Sequence, residues 1–149
     1  MNELADRALD GLPHRPPFRF LDAIEEIAED RGRGLWRVRG DEDFLRGHFP
    51  DRPLVPGVLI TEAAAQLGGA VAHHAATVRG DAGSGAGMLV LSEARFKRPV
   101  EPPAVIALEV VLDRVMGTIH RFDFTATVEG AVVALGAIAV SLAPPEPAS

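Results

Sequence analysis

The sequence predicts an α+β fold in which a curved antiparallel sheet wraps around one long central helix. An apolar, alanine-rich run over residues 58–78 is longer than an ordinary strand and favours a helix. Two strand-like segments precede this run and four follow it. A single helix cannot supply the crossovers of a parallel sheet, so the strands are expected to pair antiparallel around it.

The elements are predicted in a simple order along the chain. Residues 2–10 form a short helix, residues 18–27 form a strand, and RGRG interrupts the chain before a second strand over residues 35–39. Residues 41–56 are too irregular for helix or strand. After the central helix come a glycine-rich segment, residues 80–87, and four strands, with a hairpin turn at Glu129-Gly130 between the last two. A sheet curved around one helix is the hot-dog architecture.

Composition restricts the function classes. The chain has 149 residues, is 47% apolar and 24% charged, and carries a net charge of −6. This charge argues against nucleic acid as the main partner, since phosphate binding needs a basic surface. The absence of cysteine excludes thiolate chemistry and fits a reducing cytoplasm. With no signal peptide and no apolar stretch long enough to span a bilayer, no membrane insertion is expected. We expect one domain over residues 1–143 and a disordered, proline-rich tail over residues 144–149.

A narrow polar stripe runs along the otherwise apolar central helix. Glu62, Gln66, Gly69 and His73 follow one another at helical spacing and therefore share one face. The stripe predicts either a lined cavity or a subunit boundary. The simpler interpretation is that Glu62 is held by a neighbouring backbone group or a salt bridge, and composition alone does not decide between these.

His48 lies in a proline-stiffened turn just before the helix. Gly47 precedes it, Phe49-Pro50 follows it, and Pro56-Gly57 forms the predicted helix entry. A lone loop histidine is more often a surface residue. Held beside a helix N-terminus together with Glu62, however, it forms a possible set of base, acid and oxyanion donor.

Three motifs resemble one enzyme family. HRPPFRFLD, GHFPDRPLVPGVLITEAAAQ and ARFKRPV are similar, in order and spacing, to motifs of the FabZ-type 3-hydroxyacyl-acyl carrier protein dehydratases, which have a hot-dog fold. The resemblance implies that His48 and Glu62 are the catalytic pair. It also implies a homodimer in which His and Glu from different protomers meet, and hexamers of three such dimers are common in that family. The related FabA-like class usually carries Asp as the acid and has a longer chain.

The resemblance has gaps. Asp51 occupies a position where the family usually has Gly, Pro102-Pro103 replaces a common Gly-Asp, and the chain has no Tyr, which many relatives use near the tunnel. These departures leave the predicted reaction intact. They remove any basis for inferring chain-length preference or gating.

The predicted mechanism assigns a role to each group. His48 is the base that removes the C2 proton, and Glu62, kept protonated by the apolar residues before it, donates a proton to the departing hydroxyl. The N–H of Gly57 stabilises the enolate oxygen, and Gln66 orients the site. No metal or cofactor is required. The substrate tunnel is assigned to three residues that lie close to these groups in the sequence, namely Phe49, Pro56 and Val58.

The expected partner is an acyl carrier protein bearing the 3-hydroxyacyl chain. Such carriers are acidic, as is this chain, so docking would need a local basic patch. Arg95, Lys97 and Arg98 are the candidates. They could equally be solvated charges at a strand edge.

Two other functions remain open on the sequence alone. A hot-dog thioesterase would use the carboxylate to activate water, although hydrolysis has no use for a base directed at C2. A non-catalytic acyl-binding subunit would have no need of both His48 and Glu62. Neither alternative accounts for both groups.

Overall fold

The computed structural model describes residues 2–80 and 87–142, and the structural statements below concern those residues. The predicted tail over residues 144–149 and nearly all of the glycine-rich segment lie outside them. The structure contains two helices, a short 3₁₀ turn and six strands, with these bounds: α1 Glu3–Asp10, β1 Ala23–Ile27, β2 Arg31–Val38, the 3₁₀ turn Asp43–Gly47, α2 Gly57–Val78, β3 Met88–Phe96, β4 Ala104–Met116, β5 Ile119–Val128 and β6 Ala131–Ser141.

The six strands form one antiparallel sheet in the order β1-β2-β4-β5-β6-β3. The predicted α+β architecture, with a long helix against an antiparallel sheet, is therefore confirmed. The predicted hairpin between β5 and β6 is also present. Glu129 and Gly130 both have positive φ angles, 51° and 80°, as a two-residue turn between twisted strands requires.

Helix α2 packs its small residues against the concave side of the sheet. Ala63, Ala64, Leu67 and Val71 are completely buried. They meet aromatic and branched side chains that point inward from the strands, such as the fully buried Phe122. Alanine on the helix and larger residues on the sheet fill the core between them, because the short side chains allow the helix axis to approach the strands closely.

The RGRG segment was predicted wrongly as a break, since it begins β2. Gly32 and Gly34 lie within the strand beneath α2. A Cβ atom on Gly32 would lie only 2.8 Å from a methyl group of Val71, so the glycine allows the helix to approach the sheet. Here glycine marks helix–sheet contact rather than a turn.

Two other segments differ from the prediction. Strand β1 starts at Ala23 rather than residue 18, because the backbone of residues 18–20 hydrogen-bonds to a side chain of α2 instead of to another strand. The segment 41–56, predicted as irregular, contains the 3₁₀ turn just before His48. Among the described helices, none is both long and apolar enough to cross a membrane.

Candidate active site

The turn after the 3₁₀ segment fixes the orientation of His48. Its Nδ1 lies 2.9 Å from the carbonyl oxygen of Leu54, and its own carbonyl accepts a 2.7 Å hydrogen bond from the Leu54 N–H. A carbonyl can only accept, so Nδ1 must carry the proton. In the neutral tautomer that this contact selects, Nε2 keeps its lone pair, which is the form a general base needs. The ring stacks on Phe49 at a centroid distance of 4.4 Å.

The N-terminus of α2 provides backbone donors a few residues further on. The N–H groups of Leu59 and Ile60 both bond to the carbonyl of Pro56, the residue that precedes the helix. The N–H groups of Gly57 and Val58 have no backbone acceptor among the described residues, as expected for the first positions of a helix. Such free donors at the positive end of a helix suit an oxygen that develops negative charge.

Gly57 also lies in contact with β3. A Cβ atom at this position would lie 2.7 Å from the ring of Phe96, closer than real Cβ atoms approach other atoms. Glycine is therefore required if the aromatic ring is to cover the first turn of α2. This contact connects the ARFKRPV motif to the helix entry.

Glu62 lies one turn further along α2 and lines a cleft. The cleft is small, with a cavity volume of about 50 Å³, and Ala65, Gln66 and Gly69 also line it. Desolvation by partial burial raises the pKa of the Glu62 carboxyl, and a hydrogen bond from Gln66 offsets part of that effect. A carboxyl group with a raised pKa can remain protonated and donate. The acid is thus neither in the solid core nor free in solvent.

Gln66 connects the helix to the segment before β1. The side chain is 1% exposed. Its Oε1 accepts a 3.0 Å hydrogen bond from the N–H of Phe20, and its Nε2 donates a 2.8 Å hydrogen bond to the carbonyl of Phe18. Both ends of the Gln66 amide are thus held in place on the helix face that carries Glu62, and the orienting role of Gln66 stays a prediction.

Within one chain the predicted catalytic groups do not share a cavity. His48 does not line the cleft that contains Glu62, and neither do Phe49, Pro56 and Val58. Val58 is 74% exposed. The tunnel role of these residues stays a prediction, and the separation is what a site completed by a second chain would require.

The basic residues of the ARFKRPV motif are all exposed. Arg95, Lys97 and Arg98 form no ion pair with any described residue, whereas Arg121 lies 3.3 Å from Asp113. Three uncompensated positive side chains thus follow one another along the end of β3. They are available to an acidic partner, which is what the docking prediction needs.

Two cleft residues were not identified as site residues from the sequence. His14, in the loop after α1, lines the same cleft as Glu62, and so does His73 on α2. The helical stripe included His73 but gave it no role. No local pattern could place His14 there, because the contact depends on how α1 packs against α2.

Comparison with known proteins decides the family. A model of the FabA-like domain matches residues 12–137, which is most of the chain. The chain belongs to the FabA-like family. The FabZ-type resemblance inferred from the motifs is also confirmed, because curated FabZ dehydratases match over most of their length.

Two of these FabA-like relatives show the extent of the match. The 3-hydroxyacyl-[acyl-carrier-protein] dehydratase FabZ of Herpetosiphon aurantiacus is 44% identical over 128 residues, covering 85% of this chain and 89% of the relative. The enzyme of the same name from Agrobacterium fabrum is 41% identical over 134 residues, covering 89% of this chain and 85% of the relative. The alignment thus includes the whole segment from the His48 turn through α2.

Solved structures confirm the hot-dog fold of this FabA-like chain. A chain of the dehydratase heterocomplex ApeI:P from Xenorhabdus doucetiae superposes with a TM-score of 0.76 at 20% identity, covering 92% of this chain and 91% of that one. Cj0977, a sigma28-regulated virulence protein from Campylobacter jejuni, superposes with a TM-score of 0.72 at 15% identity and covers 98% of this chain and 94% of that one. At these identities the likeness concerns the fold alone.

Proposed function

We propose that this protein dehydrates 3-hydroxyacyl thioesters carried on acyl carrier protein to trans-2-enoyl thioesters in fatty acid biosynthesis or a related lipid pathway. One observation carries the proposal within the molecule: Glu62, a carboxyl group with a raised pKa, lines an otherwise largely apolar cleft on α2. The curated FabZ relatives support the same reaction class, a hydro-lyase.

The first step is removal of the C2 proton. Nε2 of His48 accepts it, because the Leu54 carbonyl holds the other ring proton on Nδ1. The electron pair left on C2 is delocalised onto the thioester oxygen. The N–H of Gly57, at the start of α2, donates to that oxygen, and one such donor typically lowers the barrier by about 3 kcal/mol.

The second step expels the hydroxyl group from C3. The carbon–oxygen bond breaks as the C2–C3 double bond forms, and the protonated carboxyl of Glu62 gives its proton to the leaving oxygen, which departs as water. The carboxylate regains a proton from solvent, and the imidazolium of His48 loses one. Atoms and charges balance over the cycle, so the reaction needs no oxidant, metal or cofactor.

The proposal is tested with small thioesters. His48→Ala and Glu62→Gln should each lower kcat for a 3-hydroxybutyryl thioester by about 10²–10⁴-fold, the usual contribution of a positioned acid or base. Circular dichroism should show both variants folded. Near-normal turnover of Glu62→Gln would rule out its role as acid. Release of free thiol in place of enoyl product would instead identify a thioesterase.

We also propose that two chains form a homodimer that completes the site. Strand β3 lies at one end of the sheet, and its outer edge has no neighbouring strand among the described residues. Met88, Val90 and Phe96 on this strand are 47–69% exposed. An exposed apolar edge strand is a ready surface for pairing. His48 of one chain would then approach Glu62 of the other, and three dimers would form the hexamer implied by the family resemblance. Analytical ultracentrifugation tests the oligomeric state, and a monomer would contradict the proposal.

The partner we propose is an acidic acyl carrier protein, which would dock near the exposed Arg95, Lys97 and Arg98. The double charge reversal Lys97→Glu with Arg98→Glu should raise KM for a carrier-bound substrate while leaving KM for a small thioester unchanged. Equal effects on both substrates would exclude docking at this patch. We further propose a cytoplasmic location, because a cysteine-free chain suits a reducing compartment.

A further inference from the structure

The turn that carries His48 is a small hairpin. The N–H of Phe49 donates a 3.2 Å hydrogen bond to the carbonyl of Arg52, and the N–H of Arg52 donates back to the carbonyl of Phe49 at 3.1 Å. His48 is joined to Leu54 by the two contacts described above. Pro50, at the tip, restricts the backbone further. The hairpin is therefore stiff, and a displacement at Arg52 is transmitted to the imidazole of His48.

Backbone and core contacts hold the two ends of this segment to the rest of the protein. Val55 is buried, and its N–H donates a 2.9 Å hydrogen bond to the carbonyl of Val100, in the connection between β3 and β4. Leu45, which precedes the hairpin, is also buried in the core. These contacts fix where the hairpin leaves the body of the protein. They do not fix the orientation of its outer part.

Arg52 attaches the outer part of the hairpin. Its Nε and Nη2 donate hydrogen bonds of 2.9 and 2.6 Å to one carboxylate oxygen of Glu101, the residue after Val100. Among the described residues, no other side chain from Phe49 to Leu54 forms a hydrogen bond or ion pair outside the hairpin. The ion pair therefore adds a second point of attachment beside the backbone hydrogen bond at Val55.

The placement of the hairpin matters because groups on both sides of it act on neighbouring atoms of the substrate. In the mechanism above, Nε2 of His48 takes the proton from C2, and the N–H of Gly57 binds the oxygen of the adjacent thioester carbonyl. The two groups are connected through the hairpin and the short segment after it. A misplacement of about 1 Å between reacting groups can lower a rate about 10²-fold.

Resting on the function proposed above, we propose that Arg52 and Glu101 are positioning residues for the dehydration. Their ion pair holds the hairpin against the connection between β3 and β4, so that His48 keeps its place relative to Gly57. Neither side chain touches the reacting atoms. The side chains are 67% and 56% exposed, so the pair contributes modestly, and without it the hairpin spends only part of its time displaced.

The test measures kcat and KM for a 3-hydroxybutyryl thioester in the absence of carrier protein. Arg52→Ala should lower kcat about twofold to fivefold, the range that an exposed ion pair supports, with KM unchanged. Arg52→Glu should lower kcat further, because two carboxylates then face each other. The exchange of both charges, Arg52→Glu with Glu101→Arg, should restore part of the lost kcat. Tm should fall by no more than about 4 °C in the single variants.

Glu101→Gln distinguishes positioning from docking of an acidic carrier. It removes the same ion pair but leaves the positive charge of Arg52 in place. Positioning predicts the same fall in kcat as in Arg52→Ala, whereas a docking role for Arg52 predicts no loss with a small thioester.

The matched control is the ion pair between Arg121 on β5 and Asp113 on β4, which are 3.3 Å apart. Arg121→Ala should leave kcat unchanged. Unchanged kcat in Arg52→Ala and Glu101→Gln, an equal fall in Arg121→Ala, or a charge exchange no more active than Arg52→Glu would overturn the proposal.

Wild-type turnover of the same thioester separates this inference from the proposed function. Dehydration by the wild type together with unchanged kcat in Arg52→Ala and Glu101→Gln would remove only the positioning role. Failure of the wild type to dehydrate the thioester would contradict the proposed function and this inference with it.

Discussion

Removing the amide of Gln66 should destabilise the protein markedly. In Gln66→Leu the side-chain volume is nearly retained, but both hydrogen bonds to the segment before β1 are lost. The N–H of Phe20 becomes a buried donor without a partner, which costs about 1–3 kcal/mol. Phe18 is half exposed, so its carbonyl can accept a hydrogen bond from water instead. The loss of its hydrogen bond from Gln66 therefore costs only about 0.5–1 kcal/mol. The expected total is therefore about 1.5–4 kcal/mol.

The change is measured by urea denaturation at neutral pH. The free energy of unfolding should fall by this amount with little change in the m-value, and Tm should fall by about 3–16 °C for a chain of this size. Activity should also fall, because the Glu62 carboxyl loses its hydrogen bond to Gln66 and with it a contact that orients the acid.

Thr77→Val is the matched control. Its hydroxyl donates a 3.0 Å hydrogen bond to the carbonyl of His73, but at an exposed position where water can replace it. This variant should cost less than about 0.5 kcal/mol. A cost for Gln66→Leu no larger than that of Thr77→Val would refute the view that buried amide bonds fix α2 to the segment before β1.

Three further perturbations are predicted. Gly57→Ala should lower kcat and cost about 1–3 kcal/mol of stability, because the added Cβ displaces the Phe96 ring from the start of α2; a crystal structure with the ring unmoved would contradict this. Burial lowers the pKa of His120 below its usual 6.5, so its contribution to stability is complete above about pH 6.5 and is lost as the pH falls. Thermal denaturation of His120→Gln should show a shallower loss of Tm with acid than wild type, and equal slopes would exclude His120 as a cause. Gly32→Ala should lower Tm more than Gly47→Ala, since only at the first position does a Cβ meet atoms of α2.

The order of elements was predictable because each signal is local. Residues 58–78 have the length and alanine content of a helix, and the structure places α2 at Gly57–Val78. Glu129-Gly130 carries its own turn signal. RGRG misled the prediction, because the sequence of β2 does not reveal that a helix packs above its glycines. The sequence alone does not distinguish a glycine at a helix–sheet contact from a glycine at a turn.

Parts of the candidate site depend on contacts between distant residues. Glu62 and Gln66 share a face by spacing alone, so their proximity was predictable. The bonds from Gln66 to Phe18 and Phe20 join residues more than forty positions apart, and no pattern in either segment signals them. His14 likewise reaches the cleft only through the packing of the first helix. The single chain also leaves His48 outside that cleft, which makes the second chain central to the account.

Complementation between inactive variants tests this central claim most directly. His48→Ala and Glu62→Ala are produced together in equal amounts, and dehydration of a 3-hydroxybutyryl thioester is measured. If each site takes its histidine and its glutamate from different chains, half of the dimers are mixed and each has one intact site, so about a quarter of wild-type activity should return. If both groups act within one chain, no site is intact. Co-produced protein as inactive as either variant alone would contradict the account.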